Sequence, residues 1–351
     1  MKELQYPIAP PLLAWFQTAR RALPFRDDPT PYHIWVSEIM LQQTRMAAVL
    51  PYYERFMAEL PDVRALAECD PERLNKLWEG LGYYSRARNL QKAAQIICRE
   101  YGGELPRTYE ELLKLPGIGA YTAGAVASIS MGIPVPAVDG NVLRVFARLY
   151  DDESDVLLPE TREQCTARVR KQLPPDAAGD FNQALMELGA VLCTPRSPDC
   201  SRCPLRDLCA GYEARGEAVE LLPCKTPRKA RTRAAVTVLL LRSPKGWLVC
   251  RRPAKGLLAG LWQPPALECP EGEPAGEEEL LAMAESLGIS CRICGPLPPA
   301  KHIFTHVEWS LCGWMAESET APGLPEGYAW MDSADSYSIP SAFRAYRDMM
   351  V

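Results

Sequence analysis

Three stretches in the first part of the chain repeat their apolar residues every three or four positions: WVSEIMLQQTRMAAVLPYYERF, LNKLWEGLGYYSRARNLQKAAQIIC and FNQALMELGAVLC. That period gathers apolar side chains on one face of an α-helix. Prolines and glycines punctuate the runs, among them Pro51, Pro61, Pro106, Pro116, Gly117, Gly119, Pro134 and Pro136. Residues 1–210 therefore read as an all-α domain. From residue 231 the pattern changes. AAVTVLLLR, GWLVCRR and HVEWSLCGWMA have the β-branched and aromatic content of strands, with one helical run, EEELLAMAESLG, among them. Residues 231–351 read as a second, α+β domain. The stretch between, 211–230, carries KTPRKA, has no period and reads as an interdomain linker.

A length of 351 residues suits two such domains, at ~150 residues each. No apolar run reaches the ~18 residues of a membrane span. The opening MKELQYPIAPPLLAWF lacks the charged and long apolar regions of a cleavable signal. A soluble, cytoplasmic protein with no membrane partner is expected. Thirteen cysteines, an odd count, then imply reduced thiols. The net charge is −5, with 28 basic and 30 acidic residues up to Ala230 and 11 and 14 after it. Neither part is basic overall, so contact with nucleic acid must come from a local face and from backbone amides.

Cys193, Cys200, Cys203 and Cys209 form a comb, C-x6-C-x2-C-x5-C. Four thiolates so placed can hold an iron–sulfur cluster or a zinc ion. Zinc sites usually pair cysteines as two C-x2-C knuckles. Only the middle interval is that short, which favours a four-iron cluster. Upstream, Leu115-Pro116-Gly117-Ile118-Gly119 is a tight turn between helical runs. Gly117 and Gly119 let a partner approach the backbone, and the helix that follows offers free N–H groups suited to a phosphate.

This hairpin, the VDGNV stretch at 138–142 and the comb together resemble the helix-hairpin-helix DNA glycosylases that carry a 4Fe-4S cluster, the endonuclease III superfamily. LPFR at 23–26, WVSEIMLQQTR at 35–45, WEGLGYYSRARNL at 78–90 and FNQALMELGAVLCTPRSPDC at 181–200 look like its MutY-type adenine glycosylases. The resemblance implies base excision repair: hydrolysis of the N-glycosidic bond of adenine opposite 8-oxoguanine or guanine in duplex DNA, by a monomer.

Bifunctional relatives carry a lysine two residues after the second hairpin glycine, and its amine opens the sugar. Tyr121 stands there, so base removal without strand cleavage is expected. Excision needs a proton for the departing base and an anion facing the sugar. Glu38, among Trp35, Val36, Ile39, Met40 and Leu41, has the apolar setting that raises a carboxyl pKa. On residues alone it also suits a solvent-facing position in a first helical turn. Asp139 alone reads equally as a helix N-cap. The resemblance makes Glu38 the acid and Asp139 the sugar-facing carboxylate, steadied by Asn141. Gln42, Gln43 and Thr44 have side chains that can hydrogen-bond exposed base edges, and the resemblance assigns Gln43 and Tyr83 to wedging beside the unpaired base, with Leu81 nearby. Arg26 and Glu187 are placed at the adenine pocket. Of Tyr83 and Tyr84, one is expected in the core. Arg86, Arg88, Arg144 and Arg148 suit phosphate contacts or solvated helix faces.

The second domain, with RRPAKGLLAGLWQP at 251–264 and HIFTH at 302–306, looks Nudix-like. Its helix keeps Glu285 before Gly288 but has Leu281, Ala282 and Ser286 where a hydrolase needs further ligands. It reads as a retired hydrolase. In the family this domain reads 8-oxoguanine through a Phe-Ser-His loop, here Phe304-Thr305-His306, and Phe25 stands where tryptophan is usual. Three rival readings fit the residues less well. Tyr121 disfavours a glycosylase/lyase acting on oxidised pyrimidines, the depleted helix a nucleotide-pool hydrolase, and the paired carboxylates an inert DNA-binding module.

Overall fold

The computed structural model describes residues 6–227, 230–270, 272–333 and 336–350. Two residues of the expected linker, Arg228 and Lys229, lie outside them. The chain forms two compact units, Met1–Cys69 with Arg88–Pro227 and Asp70–Ala87 with Arg228–Val351.

The first unit is helical: α1 (Ala9–Ala19), α2 (Pro24–Asp27), α3 (Pro31–Leu41), α4 (Met46–Glu59) and α5 (Val63–Glu68). After an excursion into the second unit, which contains α6 (Pro71–Trp78), it resumes along α7 (Ser85–Glu100). It continues through α8 (Tyr109–Leu112), α9 (Ala120–Met131), α10 (Gly140–Leu149), α11 (Pro159–Gln172), α12 (Ala178–Val191) and α13 (Ala210–Arg215). Leu12 and Phe16 of α1, Val142, Val145 and Phe146 of α10, and Phe181, Leu185 and Leu188 of α12 make one continuous core. Gly189 lets α12 close on the start of α10, since a Cβ there would lie 2.6 Å from the Asn141 Cβ.

Two of the long helical periods are interrupted. After Leu41 the chain turns through Gln43 at φ 58° before α4 begins. Between α6 and α7 it passes Gly80 (φ 101°), Gly82 (φ 70°) and Tyr83 (φ 48°). A side chain in the left-handed region costs about 1–3 kcal/mol, so neither break follows from apolar spacing.

Part of the expected linker is folded. Residues 210–215 form α13 and Gly216–Leu221 a 3-10 turn, with Val219 and Leu222 buried. Arg215 ties this segment back through Asp151 and, at 2.6 Å, Glu153. The segment is too short to display a period, and its anchors are distant in sequence.

The second unit holds β1 (Thr232–Ser243), β2 (Gly246–Arg251), β3 (Trp262–Gln263), β4 (Ala266–Pro270), β5 (Arg292–Pro296), β6 (Ala300–Ile303), β7 (Val307–Glu317) and β8 (Tyr328–Met331). The sheet runs β3-β2-β1-β7-β5; β4 pairs with β1, β6 with β7 and β8 with β2. Among the described residues only β1 and β7 pair in parallel, from Thr232↔Val307 to Arg242↔Glu317. Alternate residues of β1 face opposite sides. Leu239 and Leu241 pack with Leu280 and Ala284 of α14 (Glu277–Ser286), while Val236, Val238 and Leu240 pack with Trp309, Phe343 and Tyr346.

Helix α6 belongs with this sheet rather than with the helices beside it in sequence. Glu79 pairs with Arg347 at 2.9 Å, Glu72 with Arg251 at 3.3 Å, and the Ser338 hydroxyl donates to the Asn75 carbonyl. Local periodicity carries no trace of partners so far along the chain.

Candidate active site

A cavity of about 830 Å³ opens in the first unit, lined among others by Arg26, Glu38, Gln43, Tyr121, Asp139 and Asn141. Both carboxylates thus reach one space. Glu38 sits in the last turns of α3, 7% exposed, rather than in a solvent-facing first turn. The Tyr121 hydroxyl donates a short hydrogen bond to Glu38 Oε2 and lies 3.2 Å from the Met186 sulfur. Burial pushes the Glu38 carboxyl up to about 7, and the nearby Asp139 charge adds to this. The Tyr121 hydrogen bond and the charge of Arg26 oppose it. The same burial, with the Glu38 charge, holds Tyr121 well above its ordinary value, so it stays a neutral donor.

Asp139 is the N-cap of α10 and lines the cavity as well. Its Oδ1 accepts from the Val142 amide at 2.8 Å and its Oδ2 from Asn141 Nδ2 at 2.8 Å. Burial raises its pKa, and these two bonds restrain the rise. Asn141 is held in turn by Arg144, whose Nη2 donates to Asn141 Oδ1 at 2.9 Å and to the Gly189 carbonyl at 2.7 Å, and whose Nε reaches the Cys193 carbonyl at 2.8 Å. Two carboxyls whose surroundings differ in this way can divide acid and anion between them.

Glu187 closes another wall and is 1% exposed. Arg21 grips it with Nε and Nη2 at 2.6 and 2.9 Å, and Arg26 Nη2 adds a bond at 2.9 Å. Burial alone would raise the Glu187 pKa, but the two arginines bring it below its ordinary value. Arg21 and Gln183, which also line the cavity, were not singled out in the sequence. The spacing of Gln183, Met186, Glu187 and Ala190 on one face of α12 is the signal that could have found Gln183.

Gln43 and Thr44 line the cavity mouth at the break after α3, and Phe25 lines it from α2. In the hairpin, Gly117 has φ 79°, and a Cβ there would meet Asn89 Cβ at 2.8 Å. Gly119 and Ala120 are exposed at the start of α9, leaving its first amides open to a phosphate.

The other expected contacts belong to the second unit. Tyr83 is 48% exposed and Tyr84 is buried. Leu81 is buried as well, so its side chain does not present itself to a duplex. Phe304-Thr305-His306 links β6 to β7. Thr305 and His306 are exposed, whereas the Phe304 ring packs 4.8 Å from that of Trp309. The Tyr83 hydroxyl lies 3.2 Å from Thr305 Oγ1.

Three arginines offered to phosphates are buried instead: Arg86, Arg144 and Arg148. Their guanidinium groups satisfy carbonyls, as Arg86 Nη2 does with Leu81 and Gly82 at 3.1 Å.

Cys193, Cys200, Cys203 and Cys209 lie in the loop after α12, all half-buried. The Cys203 thiol is pushed up to about 12, chiefly by burial and also by the charges of the other three. Mutual influence of this kind means that the four sulfurs share one neighbourhood. Four soft thiolates gathered in one loop fit an iron–sulfur cluster.

Three protein-family models match the chain. Residues 36–175 match the HhH-GPD superfamily base excision DNA repair proteins, 193–209 the iron–sulfur binding domain of endonuclease III, and 236–349 the NUDIX domain. The chain is 36% identical to a mouse adenine DNA glycosylase, over 96% of its length and 77% of the relative's. It is 34% identical to the human adenine DNA glycosylase over 96% and 73%. Among solved structures, a thermostable thymine-DNA glycosylase superposes with TM-score 0.54 at 30% identity, covering 58% of this chain and 94% of that one. An endonuclease III–DNA complex superposes with TM-score 0.50 at 29% identity, covering 58% and 92%.

Proposed function

Because the chain belongs to the adenine DNA glycosylases, we propose that it hydrolyses the N-glycosidic bond of adenine mispaired with 8-oxoguanine, or guanine, in duplex DNA and leaves an abasic site. The observation that carries this reading is the cavity shared by a proton-holding Glu38, a helix-capping Asp139 and a phenol, not an amine, at position 121.

The adenine leaves the stack and enters the cavity. Glu38 gives its proton to the base. The carbon–nitrogen bond breaks and its electron pair goes with the departing adenine. Asp139 faces the positive charge left on the sugar, and Asn141 keeps its carboxylate turned. Water adds to the anomeric carbon and its proton returns to Glu38. The cluster held by Cys193, Cys200, Cys203 and Cys209 supplies a rigid anchor for the loop carrying Arg196, Arg202 and Arg206. Gly117 and Gly119 open the hairpin amides to the backbone, and Gln43 with Thr44 and Tyr83 occupy the gap left by the base. We place this work in the cytoplasm, at the nucleoid, and assign it to a monomer.

Duplexes with a single adenine opposite 8-oxoguanine, guanine, cytosine or thymine test the proposal. Strand breaks are expected only after alkali and only for the first two. Nicking without alkali would overturn the monofunctional reading.

The exposed hydroxyl of Thr305, with Phe304 and His306, is the proposed reader of 8-oxoguanine. Thr305→Ala is expected to lower the preference for 8-oxoguanine over guanine in competition assays, and an unchanged ratio would remove it from recognition. The point change is a cleaner test than truncation after Lys225, which would also strip α6 of Arg251 and Arg347.

A further inference from the structure

Arg148, on the last turn of α10, is 1% exposed. Its Nε donates to the Leu222 carbonyl at 3.0 Å. Nη1 donates to the Thr194 carbonyl at 2.8 Å and to the Cys193 sulfur at 3.3 Å. Nη2 reaches the carbonyls of Pro195 and Glu220 at 3.3 and 3.5 Å. The Cys209 sulfur in turn contacts the Arg148 carbonyl at 3.4 Å. The arginine is therefore fixed from every donor, yet all its partners are neutral carbonyls or a cysteine sulfur. Among the described residues no carboxylate pairs with it.

A buried cation without an anion is costly, and carbonyl dipoles offset only part of that cost. The missing anion is supplied by chemistry already assigned to this loop. Four thiolates outweigh the positive charge of an iron–sulfide core, so the assembled centre is anionic, and it would be held in part by Cys193, whose sulfur the Arg148 guanidinium touches. We propose that Arg148 is the counter-charge of the iron–sulfur cluster, binding it electrostatically and setting how readily it loses an electron. The inference rests on the cluster reading of the comb. A cation and an N–H donor at a cluster sulfur draw electron density from the iron, which raises the reduction potential. Filling the loop also neutralises Arg148, so cluster binding and folding of residues 193–222 support each other.

The test compares the holoprotein with Arg148→Lys, which keeps the charge, and Arg148→Met, which keeps length without it. Iron and sulfide per chain, the rate of cluster bleaching under a chelator, and the cluster midpoint potential are measured. Arg148→Met is expected to bleach at least tenfold faster and to shift the potential downward, with Arg148→Lys close to the unaltered protein. Should Arg148→Met fail to fold, Arg148→Gln takes its place against Arg148→Lys. Equal bleaching and an unshifted potential in the neutral variant would overturn the proposal. So would a lysine variant as impaired as the neutral one, since the role would then be hydrogen-bond geometry rather than charge. An unaltered protein without iron would instead defeat the cluster reading itself.

Discussion

Glu38→Gln is expected to excise adenine about 100- to 10,000-fold more slowly than the unaltered enzyme, the range removed with a general acid, while mismatched DNA is still bound. Glutamine matches the shape of glutamate and can accept the Tyr121 hydroxyl, so the site stays filled, but it has no proton to give. Single-turnover excision alongside a binding titration separates the two effects. A fully active variant would take Glu38 out of the mechanism. The pH profile carries the same logic. The active form of Glu38 is protonated, and burial lifts its carboxyl to about 7. The value of kcat/KM should therefore hold below that point and fall about tenfold per pH unit above it. Asp139 must be ionised and its pKa is also raised by burial, so an acid limb is expected on the other side. Glu38→Gln should abolish the alkaline limb. A profile flat across pH 7 in the unaltered enzyme would contradict this assignment.

Asp139→Asn is the second large effect, and the double position of this residue makes it informative. Its side chain caps α10 through the Val142 amide while lining the cavity. Asparagine caps helices about as well as aspartate, so the helix start should survive and the melting temperature should move little. What is lost is the negative charge opposite the sugar, and the excision rate is expected to drop about 100- to 1000-fold, as when one preorganised electrostatic contact to a transition state is removed. Asp139→Ala should lose the cap as well, at about 1 kcal/mol of stability. An Asp139→Asn protein that melts early and excises normally would reverse the roles assigned here.

Much of this site was legible before any coordinate. The apolar neighbours of Glu38 fitted a buried carboxyl as well as a solvent-facing one, and the resemblance around it favoured the buried acid; the comb announced a shared thiol neighbourhood, and the changes of period located the strands of the second domain. What escaped was non-local. Nothing near α6 in sequence points to Arg251 or Arg347, and nothing near Ala210 foretells that the segment after it folds against α10. Arginines are by default surface residues. That Arg144 and Arg148 are interior follows from carbonyls of Gly189, Cys193, Thr194 and Leu222, far along the chain. Arg21 escaped for the same reason, since its partner Glu187 lies 166 positions away.

Gln43 and Tyr83 are two of the five non-glycine residues among those described whose backbone is left-handed. Glycine would relax either turn, yet the chain keeps there an amide and a phenol. Folding, not the encounter with DNA, meets the cost of these conformations. Selection for heat resistance alone would therefore tend to replace the two side chains proposed to wedge beside the unpaired base.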